Sequence, residues 1–84
     1  MPVIAQIDGV NAVIYHLDHE PPHVHFRSAD FQVKMEIETG KLVRRSGVIS
    51  GKMEKALRAW VNRHQERLME LWDLASQGEA IEKV

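Results

Sequence analysis

The sequence predicts an α+β domain: an antiparallel meander of four strands, with room for a fifth, covered on one face by a long C-terminal helix. Three observations carry that reading. Apolar and polar residues alternate through much of residues 3–45, an Asp-Gly pair joins two apolar runs near the start, and residues 51–77 carry one apolar stripe at helical spacing. With 84 residues, 44% of them apolar, the chain makes one domain over 1–84, near the lower limit for a self-sufficient core.

The first strand runs from Val3 to Ile7 and the second from Val10 to Tyr15, joined by Asp8-Gly9. Asp-Gly suits a two-residue hairpin because both turn positions need positive φ. His23 to Arg27 and Phe31 to Ile37 follow, the latter alternating as Phe31, Val33, Met35 and Ile37 against Gln32, Lys34 and Glu36. Residues 38–41 form a turn, and Lys41 to Arg45 supplies a short edge strand whose cations discourage further pairing. Ser50 caps the helix, which Gly78 ends. Met53, Ala56, Leu57, Trp60, Val61, Leu68, Leu71, Trp72 and Ala75 make its buried stripe, with Trp60 and Trp72 as anchors and His64 as a buried core histidine. At 1.5 Å per residue such a helix spans about 40 Å, more than a small sheet needs, which allows a break between Asn62 and His64. Met69 and Leu74 fall off the stripe and are candidates for a homodimer or partner contact.

Charge is unevenly placed. The net charge is −1, yet residues 1–40 hold two basic and six acidic side chains, whereas residues 41–67 hold eight basic and two acidic ones. Arg44, Arg45, Lys52, Lys55 and Arg58 are therefore the candidate surface for nucleic acid or a protein partner, a solvated helix face being the plainer alternative. Gly47-Val48-Ile49-Ser50-Gly51-Lys52 is not a phosphate-binding loop: the glycine spacing is one residue short and Met53 replaces the hydroxyl residue. The amino terminus lacks the basic start and apolar run of a signal peptide, and no run approaches the ~20 apolar residues of a membrane span, so the expectation is a cytoplasmic protein with no membrane partner.

Four of the five histidines fall within His16 to His25. Histidine titrates near neutrality and is the commonest transition-metal ligand, so the cluster is the candidate site. A symmetric connection between the second and third strands places His16 opposite His23 and Ile14 opposite His25. His16, His23, His25 and Arg27 then share the open face, and Val13, Tyr15, Val24 and Phe26 the core face. Pairing through Ala29-Asp30 sets Phe26 beside Val33, Val24 beside Met35, Glu36 opposite His23 and Lys34 opposite His25. His16, His19, His23 and His25 are candidate ligands for a weakly held divalent transition metal, aided by Glu36 or Asp18; without cysteine the donors must be imidazole and carboxylate. His23, His25 and Glu36 are alternatively candidate acid and base groups for phosphodiester cleavage. A polar patch bonded to itself and to the loop backbone is the plainer reading. Pro21-Pro22 stiffens the approach to His23.

The run Asp18-His19-Glu20-Pro21-Pro22-His23-Val24-His25 resembles the Asp-His-x-Pro-Pro-His-Val-His signature of a small bacterial family catalogued as domain of unknown function 4160. The similarity extends to the Gly9 turn, Tyr15, the Ser50 helix start and Leu71-Trp72. Two departures stand out: Ser50-Gly51-Lys52-Met53 where relatives often have Ser-Pro-x-Glu, and the basic connector Lys41 to Arg45. The resemblance implies no settled activity, but a habit of being encoded beside another small protein in toxin–antitoxin-like pairs. The function expected is thus one member of a regulatory or toxin–antitoxin-like pair, binding a small protein encoded nearby or nucleic acid. The rival is a histidine-cluster metal-binding protein or ribonuclease-like phosphodiesterase.

Overall fold

Asp8 and Gly9 both take positive φ, 48° and 81°, and so turn β1 (Val3–Ile7) directly into β2 (Val10–Val13) with Ile7 opposite Val10. In the computed structural model, which describes residues 3–84, three further strands follow: β3 (His23–Arg27), β4 (Phe31–Glu36) and β5 (Leu42–Gly47). Every neighbour is antiparallel and the order β1-β2-β3-β4-β5 is that of a meander. The fifth strand is real and longer than the Lys41 to Arg45 segment expected.

The β3–β4 register is the expected one, with His23 opposite Glu36, Val24 opposite Met35, His25 opposite Lys34 and Phe26 opposite Val33. The β2–β3 register is not. Val13 lies opposite His25 and Ala12 opposite Phe26, one residue away from the symmetric pairing. The physical reason is the connection: β2 stops at Val13, Ile14 is fully buried, and Leu17 turns through φ 56° to donate its N–H to Ala75 O at 2.9 Å. That excursion over residues 14–22 is no symmetric hairpin. Val13 and Tyr15 consequently belong to the face of His25, and His16 leaves it.

The C-terminal part is two helices, not one. Ser50 caps α1 (Gly51–Arg63) by accepting from Met53 N–H at 3.0 Å, and His64, at φ −112° and ψ 24°, separates it from α2 (Gln65–Ser76). The bend lets a stripe too long for the sheet keep covering it. His64 is accordingly no core histidine: it is half-buried at the junction, its ring 4.9 Å from that of Trp60. Val24, Phe26, Val33 and Met35 meet Leu57, Trp60, Val61, Leu68, Leu71 and Trp72 in one core, where the rings of Phe26 and Trp60 pack edge to face at 5.8 Å. Met69 packs against that core, Leu74 is exposed, and so is Ala56, which lies beside the stripe and not in it. No described helix is long and apolar enough to cross a membrane.

Candidate functional site

Val24 and Phe26 point into the core, so alternation along β3 sends His23 and His25 to the other side. Their rings meet there edge to face at 4.9 Å. His23 stands beyond the last β2–β3 pair, where the sheet opens and Trp72 of α2 comes within 4.9 Å of its ring; Tyr15 packs against His25 at 4.7 Å. The Tyr15 hydroxyl accepts from the Arg27 guanidinium at 3.2 Å.

Asp18 gathers the two histidines. Its Oδ2 accepts from His23 Nε2 at 2.8 Å and from His25 Nε2 at 3.4 Å, while Oδ1 accepts from the His19 N–H at 2.9 Å. On the far side of the ring, His23 Nδ1 donates to Pro21 O at 2.7 Å. A carbonyl only accepts, so Nδ1 carries a proton and Nε2 is the atom left to face the carboxylate. The Glu20–Pro21 peptide is cis. His23 is 2% exposed, Asp18 16% and His25 27%, so the cluster is reached from the His25 side.

The electrostatics follow from this packing. Burial pushes the Asp18 carboxyl up, but the His19 N–H and the bonds and charge from His23 and His25 together hold it below its ordinary value. Burial lowers the His25 imidazole; the bond to Asp18 opposes this, and the neighbouring His23 and Lys34 charges add to it.

One ligand atom from each of Asp18, His23 and His25 lies within 4.8 Å of the other two, which is the metal-sized cluster among the described residues. The remaining candidates sit elsewhere. His16 is exposed and donates Nε2–H to Glu79 O at 2.8 Å on the helix side. His19 is 84% exposed; its Nδ1 lies 3.1 Å from Oδ1 of Asp18 and its ring 6.2 Å from that of His23. Glu36 lies opposite His23 in register, where its Oε1 accepts from the Thr39 hydroxyl at 2.9 Å. Both ring nitrogens of the buried His23 are engaged, which leaves His25 as the histidine of the cluster that a solvent molecule can approach.

The basic segment divides by register. Arg44 pairs with Lys34 and joins the face of His25, whereas Arg45 pairs with Val33 on the helix side. Lys52 and Lys55 are exposed on α1, and Arg58 is tied to Glu54 at 2.8 Å and to Gly40 O at 3.1 Å. Sequence reasoning gave Asp18 an auxiliary place and left Lys34 and Tyr15 out of the site. Asp18 heads the signature run, and Lys34 stood opposite His25 in the pairing already drawn, so both signals were available.

A family model described as Domain of unknown function (DUF4160) matches residues 9–73, a span that holds β2 to β5, the Asp18 loop and most of both helices. Comparison with curated proteins and with solved structures finds no match. The match covers well over half of the sequence, so the chain belongs to the DUF4160 family.

Proposed function

We propose that Asp18, His23 and His25 bind a divalent transition metal of the zinc class and that the centre supports hydrolysis. The observation that carries this is the donor geometry: three ligand atoms within 4.8 Å of one another, with the bond from Nδ1 to Pro21 O fixing the His23 ring so that Nε2 faces Asp18. A tetrahedral ion with arms of about 2.0 Å needs its ligand atoms about 3.3 Å apart. The His25–Asp18 distance of 3.4 Å matches that edge, and the His23–Asp18 pair at 2.8 Å would part by about 0.5 Å as the ion replaces the shared proton. Three protein donors would leave a tetrahedral ion one ligand short, and an ion held by Asp18, His23 and His25 would supply Lewis acidity and a more acidic bound water.

Thermal unfolding with and without zinc tests the centre. Free ion at about a hundred times Kd adds about 2.7 kcal/mol, which raises the midpoint. His23→Ala with His25→Ala loses the shift, whereas His16→Ala and His19→Ala keep it. An unchanged midpoint in the native sequence overturns the proposal.

A second reading, the regulatory pair implied by the family resemblance, is favoured by β5. Residues 43–48 are all exposed at the sheet edge and include Arg44 and Arg45, a basic strand open to an acidic protein partner. Copurification with the product of the adjacent gene, lost in Arg44→Glu, supports it. In either reading we place the protein in the bacterial cytoplasm.

A further inference from the structure

Beside the cluster, the open face of the sheet carries two cations in direct register. Lys34 of β4 and Arg44 of β5 are cross-strand partners, and like charges so placed repel. Neither makes a hydrogen bond or an ion pair among the described residues. Of the nearby carboxylates, Asp18 accepts from three donors, and Glu36 accepts from the Thr39 hydroxyl through one oxygen and pairs with neither cation. Two hollows of about 420 and 400 Å³ meet at this pair. Tyr15 and His25 line the first, His23 and Glu36 the second, and Lys34 and Arg44 line both. Folding alone gives no reason to set two unpartnered cations opposite one another, but a ligand anion between them would turn the repulsion into binding.

We propose that Lys34 and Arg44 bind a phosphodiester oxyanion of single-stranded nucleic acid, with Tyr15 offering a ring to the adjoining base. The aromatic residue in the same hollow is what selects a nucleic acid over a simple anion, because stacking tolerates any base while cations hold the backbone. A phosphodiester seated there lies against His25, one of the three metal donors. Any cleavage rests on the metal centre proposed above; the binding itself does not require the ion.

The test titrates a labelled short oligouridylate, and separately inorganic phosphate as competitor, into the full chain with a chelator present. Two phosphate contacts predict that log K falls against log salt with a slope of roughly −1.4. Lys34→Gln and Arg44→Gln each weaken binding about tenfold and each lower that slope by roughly 0.7, while their thermal midpoints hold or rise as the repulsion is relieved. Tyr15→Leu weakens binding about tenfold by loss of stacking. Arg63→Gln, an exposed cation at the end of α1, leaves it unchanged. Absent binding, salt-independent binding, or equal loss in Arg63→Gln overturns the proposal. Tyr15→Leu without effect, together with full displacement by phosphate at matching affinity, also overturns it and leaves an inorganic phosphate site. Oligouridylate binding in a protein that ignores zinc refutes the metal centre alone; zinc binding without oligouridylate binding refutes this site alone.

Discussion

His23 gives one ring nitrogen to Pro21 O and the other to Asp18, so a single imidazole fixes the loop, the strand start and the carboxylate together. The groups around it titrate in a direction that acid will expose. Asp18 is lowered in the folded protein, so its share of stability is present above its unfolded value and lost as pH falls through its folded one. His25 is lowered from 6.5, so below that pH the unfolded chain takes up a proton before the folded one does, and stability falls until the folded value is passed. Both contributions have the same sign. The metal-free protein is therefore expected to lose thermal midpoint steadily as pH drops below 6.5. In Asp18→Asn the neutral-range fall deepens, because burial then acts on His25 without the opposing bond, and the carboxylate-range fall flattens. Midpoints across a pH series check this, and a midpoint that rises on acidification contradicts it. His23, His25 and Glu36 were placed from the sequence because β4 alternates without ambiguity. His16 was misplaced because residues 10–15 carry apolar side chains on both parities, leaving the polar Asn11 as the sole sign that the odd positions, with Val13 and Tyr15, share the face of His25.

Gly47 ends β5 against the β3–β4 turn. Its φ is +86°, an added Cβ would run into Asp30 O and come within 2.9 Å of Phe31 Cα, and Val48 N–H donates to the same Asp30 O at 3.2 Å. Gly47→Ala is expected to cost about 1–3 kcal/mol, from the positive φ and from a backbone neighbour that cannot yield. Gly51→Ala, with nothing within 4 Å of the new Cβ and no positive φ, is expected to gain about 0.4–1 kcal/mol. Thermal unfolding reads both, at about 4–8 °C per kcal/mol for a domain of this size. Equal midpoints in the two variants would mean that β5 does not depend on that turn. The strands were legible because period-two alternation and turn residues act locally. The division of the helix was legible only as a length conflict, since nothing but the size of the sheet says where a continuous apolar stripe must bend.

At the scale of the molecule, 33 × 23 × 20 Å, the C-terminal segment closes the structure: Glu79 O accepts from His16, and Val84 N–H donates to Ile4 O at 2.9 Å. The helix-side and open-side features meet at one place. Leu17 N–H is bonded to Ala75 O in the last turns of α2, one residue before Asp18, and Trp72 of the same helix lies against His23. For the Asp18 loop to swing away, then, it must break its tie to α2, so loop and helix end form one opening unit. An ion that holds the loop is expected to slow amide hydrogen exchange at Leu17 and through the last turn of α2, neither of which supplies a donor, by up to the factor by which it stabilises the folded form. Protection confined to residues 18–25 would show that the loop opens alone. Protection that spreads to the helix would mean that a partner docked on the end of α2 and a ligand bound across the sheet each report on the other's presence.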